Sequence, residues 1–188
     1  MDVLNPKLDI LPNAQRQLWD ELTETPPHFV LYGGTAIALY LGHRESIDFD
    51  FFSTDTFFPS DLIKRIPYLQ NATVVQSSKN TLTCIVDRGT PVQVSFFGGL
   101  NLRHVETPQV VEKINLKIAS LLDLSATKVK VILERASYKD YFDIHTLIKH
   151  GFTLPQMLSA AHAVYGETYN PILSLKALCY FDEGDLTL

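Results

Sequence analysis

An α+β fold, with a small mixed β-sheet and flanking helices followed by a helical C-terminal region, is what this 188-residue sequence predicts. Three observations carry it. Short runs of strand character, "HFVLYGG", "SIDFDFF", "TLTCIVDRG" and "PVQVSFFGG", lie in the first half of the chain, and helical spacing prevails from Thr107 onward. Glycine and proline fall at the joints between these runs. The spacing therefore predicts an α/β core over residues 1–105 and a helical region over residues 106–188 packed against it.

Element by element, "NAQRQLWDELTET" repeats Leu18 and Leu22 at helical spacing, with Asn13 as N-cap and Pro26-Pro27 closing the helix. "HFVLYGG" reads as a short buried strand, and "TAIALYLG" as a helix stopped by Gly42. "SIDFDFF" alternates as a strand with Ile47, Phe49 and Phe51 toward the core. "FPSDLIKRI" is a short helix, and "DRGT" divides a β-hairpin. The stretch "PQVVEKINLKIASLLDLSATKVKVILERAS" reads as helical, followed by helices in "KDYFDIHTLIKHG", "LPQMLSAAHAVYG" and "NPILSLKALCYF".

A hydrophobic content of 46% with 20% charged residues is that of an ordinary globular domain, and a net charge of −5 argues against a globally basic nucleic-acid coat. Cys84 and Cys179 stand far apart in no metal-binding spacing, which favours reduced, buried thiols in a cytoplasm. The N-terminal stretch lacks the pattern of a secretion signal, and no apolar run reaches the ~18 residues of a membrane span. A soluble cytoplasmic protein is expected. No pair of the six histidines has metal-ligand spacing, and Trp19 reads as core packing.

The run "GGTAIALYLGHRESIDFDFF" concentrates the chemistry. Strand residues two apart share a face, so Asp48 and Asp50 project side by side, their Cα atoms about 7 Å apart. Two carboxylates held that close repel unless a cation lies between them. Oxygen ligands on a strand suit Mg2+ or Mn2+, ions that share their coordination with substrate phosphates. Gly33 and Gly34 let backbone N–H groups approach an anion at the start of a helix, and Thr35 adds a hydroxyl. Either half alone has a plainer reading, as a tight turn or a half-exposed strand. Joined by one helix, they describe a nucleoside triphosphate site.

The pattern hydrophobic-Gly-Gly-Thr, with Asp48-x-Asp50 beginning thirteen positions after Thr35, resembles the DNA polymerase β-like nucleotidyltransferase superfamily. Together with "LLDLSATKVKVILERASYKDYFDIHTL", the run is similar to the AbiEii/AbiGii-type nucleotidyltransferase toxins of bacterial toxin–antitoxin and phage-defence systems. The likeness covers most of residues 30 to 148, and the tail "LSLKALCYFDEGD" looks like the end of compact members.

The second block has its own physics. With Asp123 or Ser125 near its start, a helix through "LSATKVKVILER" lines up Leu124, Lys128, Val131, Ile132 and Arg135 on one stripe. Between Lys113 and Lys139 six basic residues face two acidic ones, a local excess that suits phosphate. Snorkelling of Lys128 and capping by Arg135 explain the stripe equally well. The resemblance implies that Lys128 holds the triphosphate and makes Asp143 a site residue, whereas Asp140 reads as a first-turn acid. It also matches Arg44 and Ser46 to the family's Arg-x-Ser. Whether Arg44 pairs with the aspartates or reaches a phosphate stays open.

One departure stands out. Polymerase β-like catalysts generally carry a third carboxylate on a neighbouring strand, yet "VQVSFF" offers Gln93 and Ser95. Asp87, Asp140 and Asp143 are the candidates to replace it.

The resemblance implies a metal-dependent enzyme that moves a nucleoside monophosphate from an NTP to an acceptor such as tRNA, countered by an antitoxin. On this reading Asp48, Asp50, Lys128 and Asp143 are catalytic. Gly33, Gly34, Thr35, Arg44, Ser46, Lys128 and Arg135 bind the nucleotide. Asp48 and Asp50 hold the metal. A nucleotide-binding pseudoenzyme, favoured by Ser95, and a protein-interaction module, favoured by the aromatic stretch "FFSTDTFFP", are the alternatives.

Overall fold

The computed structural model describes residues 3–135 and 137–180. Helix α1 (Asn13–Trp19) continues as a 3-10 segment, Asp20–Glu24. Asn13, expected as its cap, is its first helical residue. The extended backbone of Pro12 takes the cap position, and its carbonyl accepts the Arg16 N–H at 2.9 Å. Strand β1 (Val30–Tyr32) runs directly into helix α2 (Gly33–Leu41), which Gly42 ends in a left-handed conformation. Strand β2 (Asp48–Phe52) and helix α3 (Pro59–Arg65) follow as the sequence predicts. Then come β3 (Thr73–Ser78), β4 (Thr81–Asp87) and β5 (Pro91–Phe97).

The region after Thr107 departs from the helical expectation. Gln109–Val111 and Leu116–Ile118 form strands β6 and β7 around a 3-10 turn, with Asn115 left-handed at φ 49°. A helix cannot hold that residue, and the chain turns back on itself instead. Helix α4 (Leu121–Val131) begins only after this pair, and α5 (Tyr138–Lys149), α6 (Leu154–Tyr165) and α7 (Pro171–Leu178) follow. The expected tail match from Phe181 onward lies outside the described residues.

Among the described residues the strands form one mixed sheet in the order β3-β4-β5-β2-β1-β7-β6. Strand β2 is parallel to β5 and antiparallel to β1, and β1 is parallel to β7. Alternation along each strand separates two faces. One carries Leu31, Phe49, Phe51, Leu82, Cys84, Val94, Phe96 and Ile118, all fully buried. Phe51 stacks on its register partner Phe96 at 5.2 Å, and Trp19 meets Phe49 at 6.3 Å. Burying each such phenylalanine stabilises the fold by about 2–3 kcal/mol. Ile47, expected in this core, is 49% exposed. It precedes β2 rather than sharing its pleat, and its carbonyl accepts a hydrogen bond from the Gln15 side chain at 3.0 Å. The opposite face is polar near the centre, with Asp48, Asp50, Gln93, Ser95 and Thr83 in register.

The chain divides into two compact units. Met1–Asn101 with Pro108–Ala119 holds the whole sheet, and Leu102–Thr107 with Ser120–Leu188 holds α4 to α7. In the second unit α4, which carries Asp123 and Ser125 near its start, is capped by Ser120. The Ser120 hydroxyl accepts the Asp123 N–H at 3.0 Å and donates to the Asp123 carboxylate at 2.7 Å. That carboxylate also accepts the Val105 and Glu106 N–H groups, at 2.7 and 3.1 Å. Cys84 is buried, but Cys179 is exposed rather than buried as expected, because it follows the end of α7. Among the described residues no helix is long and apolar enough to cross a membrane.

Candidate functional site

Within the first unit, the turn from β1 into α2 meets the acidic strand. Tyr32 is the register partner of Asp50, so the diglycine that follows Tyr32 lies beside the Asp48–Asp50 segment. Gly33 has φ +76°, a conformation that side chains with a Cβ rarely adopt. A Cβ built there would lie 2.8 Å from Asp50 Oδ2. Glycine is therefore required both by the backbone and by the carboxylate pressed against it. The N-cap residue Tyr32 makes no side-chain capping hydrogen bond to α2. The leading N–H groups and positive dipole end of that helix thus start next to Asp50, as an anion cradle requires.

Thr35 and Ser46 are placed differently from the phosphate contacts expected of them. Thr35 is 2% exposed, and its hydroxyl donates to the Asp48 backbone carbonyl while sharing a 2.7 Å hydrogen bond with the Ser46 hydroxyl. Both side chains tie α2 to the start of β2, which positions the acids. Arg44 is half-buried and donates to the Glu45 carbonyl at 3.0 Å. Asp48 and Asp50 are each half-buried on the polar face, with Gln93 and Ser95 as their partners on β5. The strand that should supply a third carboxylate thus presents an amide and a hydroxyl. Ser95 is buried and accepts from Thr83 at 3.4 Å. Asp87 accepts the Gly89 N–H at 2.9 Å and serves the β4–β5 turn.

The same face continues beyond Asp50 into Phe52, with Phe97 beside it in register. Strand parity alone places residue 52 with 48 and 50, so the sequence contains this signal.

Within the second unit, Lys128 on α4 is 5% exposed, and its ammonium bonds Asp140 at 2.7 Å and Asp143 at 2.8 Å. Both aspartates, one helical turn apart on α5, are fully buried. Asp140 accepts further from Ser137 Oγ at 2.8 Å and Arg135 Nε at 3.2 Å. Arg135 lies past the end of α4 and is largely exposed. The two aspartates, assigned different roles by sequence, share one lysine. Burial alone would push the Asp140 carboxyl up. The Lys128 ammonium, the hydrogen bonds from Lys128 and Ser137, and the Arg135 guanidinium outweigh it and hold the group below its ordinary value.

A depressed carboxylate stabilises the fold above its unfolded pKa, about 3.9, and loses that contribution as pH falls through the folded value. Urea melts followed by helix circular dichroism should therefore show stability falling from pH 5 to pH 3. The fall should be smaller in Asp140→Asn.

Gly33→Ala should strain the turn and displace the Asp50 carboxylate. Nucleotide binding should drop at least about tenfold while the sheet survives, because the strain is local, of order 1–3 kcal/mol. Calorimetric titration of the purified variant checks this.

Among the described residues no group of three or more His, Cys, Asp or Glu side chains is placed to hold a metal ion. A divalent ion at Asp48 and Asp50 would therefore complete its coordination with water and substrate oxygens. That is the usual habit of Mg2+, and the oxygen-only donors on an accessible face fit it.

The model of the AbiEii family, described as nucleotidyl transferase AbiEii toxin, type IV TA system, matches residues 17–187. An uncharacterized protein of Aquifex aeolicus (strain VF5) is 31% identical over 161 residues, covering 83% of this chain and 75% of the relative. In fold, the chain is similar to the crystal structure of JHP933 from Helicobacter pylori, with a TM-score of 0.58 and 17% identity over 88% of this chain and 86% of that one. MenT4, a nucleotidyltransferase toxin from Mycobacterium tuberculosis H37Rv, gives a TM-score of 0.54 and 16% identity, covering 77% of this chain and 60% of that one.

Proposed function

This chain belongs to the AbiEii family of nucleotidyl transferase toxins, and on that premise we propose that it transfers a nucleoside monophosphate from an NTP to a hydroxyl acceptor in a Mg2+- or Mn2+-dependent reaction. The observation that carries the proposal is the Asp50 carboxylate set against the left-handed Gly33 at the start of α2. The α2 N-terminus and the Gly33-Gly34 backbone hold the β- and γ-phosphates, and the family's Arg-x-Ser pattern assigns Arg44 to the nucleotide as well. Thr35 and Ser46 act behind them by fixing the start of β2.

The divalent ion, when bound, neutralises charge on the phosphates and lowers the pKa of an attacking hydroxyl. Asp48 and Asp50 would hold that ion, and through it the α-phosphate, where the acceptor oxygen forms its bond to phosphorus as the bond from phosphorus to the α–β bridging oxygen breaks. Pyrophosphate leaves with that bridging oxygen, and the hydroxyl proton passes to solvent water. The family pattern assigns Lys128 to the triphosphate, and within its own unit the ammonium is held by Asp140 and Asp143. Asp143 acts with it, and Arg135 adds positive charge. A tRNA end is the favoured acceptor, a cognate antitoxin the favoured partner, and the cytoplasm the place of action.

Incubation with Mg2+, each labelled NTP and total RNA tests the proposal. Label should move to RNA with one or more NTPs, and should not with Asp48→Ala. Gln93 and Ser95, standing where a third carboxylate is usual, favour one other reading, a nucleotide-binding pseudoenzyme. That reading predicts an NTP-dependent rise in Tm without consumption of the NTP.

A further inference from the structure

The polar face of the sheet carries one aromatic step. Phe52 and Phe97 lie on the same face as Asp48 and Asp50, and both are only half-buried, whereas Phe51 and Phe96, their neighbours on the opposite face, are fully buried. Tyr32, 5% exposed, lies parallel to the Phe52 ring at 4.8 Å and 14°, and Phe97 meets Phe52 edge-on at 5.5 Å and 86°. The step is thus backed and fixed in place. Beyond Tyr32 and Val30, which flank Phe52 from β1, the centre of the face carries acids, an amide and hydroxyls, so an aromatic patch only half-buried there gives up apolar burial that the other face exploits fully.

Order along β2 identifies the occupant. Tyr32 pairs with Asp50 and Val30 with Phe52, so the diglycine turn, the two acids and the aromatic step follow one another along the strand. Phe52 lies one strand repeat, about 7 Å, beyond Asp50. A triphosphate at the turn, with its α-phosphate at the acids, sends its ribose and base toward Phe52.

We propose that Phe52, backed by Tyr32 and braced edge-on by Phe97, is the ring platform on which the base of the bound nucleotide stacks. The inference rests on the nucleotidyltransferase site described above and adds the subsite for the base. Stacking accepts any base, because each has a π-face.

The test compares binding of ATP with that of inorganic triphosphate, which has neither sugar nor base, in wild type, Phe52→Leu and Phe97→Leu, each checked by its thermal melt. Wild type should bind ATP more tightly than triphosphate. Phe52→Leu should lose about tenfold in ATP affinity, the size expected for one base stacked on an aromatic ring, and Phe97→Leu about threefold through the lost brace, while triphosphate affinity stays within about twofold in both. Unchanged ATP affinity in folded variants would overturn the platform and leave the phosphate and metal site standing. Equal loss of both ligands would also overturn it, since the rings would then act by holding Asp50. Absence of all binding in wild type would remove the platform together with the nucleotide site it rests on. If Phe52→Leu does not fold, Phe97→Leu decides.

Discussion

Asp48→Asn and Asp50→Asn should each lower nucleotidyl transfer by more than about 100-fold while leaving the folded protein intact. Losing an outer partner of a metal ligand already costs about 10- to 100-fold, and here the ligand itself would lose its charge. With two carboxylates on the strand and an amide and a hydroxyl beside them, no third acid on β5 shares the load. The fold should survive because both side chains are half-buried on the polar face, away from the phenylalanine core. Single-turnover assays at saturating NTP, with near-native circular dichroism, check the claim. Activity within about threefold of wild type in both variants would exclude the acids from the chemistry, since it is far below the loss expected for an outer partner.

Lys128→Met should destabilise the second unit by about 3–5 kcal/mol, the cost of leaving buried charge without its partner. The lysine is shared by two fully buried carboxylates, so its removal strands both. For a protein of this size the loss corresponds to a Tm lower by roughly 10 °C. Adding Asp140→Asn and Asp143→Asn should recover part of it, because the stranded charges are then gone. Such recovery in thermal melts identifies a coupled hub. If Lys128→Met instead melts like wild type and only raises KM for the NTP, contact with phosphate is the lysine's whole role.

What the sequence made legible is local. The diglycine turn, the Asp-Phe-Asp-Phe alternation, the Gly42 stop and the "DRGT" hairpin each follow from a few adjacent residues, and each appears in the structure. Strands β6 and β7 were hidden because each has three residues, too few to show alternation, and the intervening turn depends on one left-handed asparagine. Strand β3 is exposed along its whole length, so no buried side marked it as a strand. The inward turn of the Thr35 hydroxyl and the joining of Lys128 to both aspartates depend on which elements meet. A single segment cannot announce such contacts. The Ser120–Asp123 cap was within reach of a local reading, since Ser-x-x-Asp before an apolar run is a helix-start pattern.

Crystals grown with Mn2+ and a non-hydrolysable NTP offer the most direct measurement. Anomalous scattering should place a manganese ion in contact with both the Asp48 and Asp50 carboxylates, with the triphosphate reaching the Gly33-Gly34 backbone. A nucleotide bound elsewhere, or manganese that touches neither aspartate, would contradict the account.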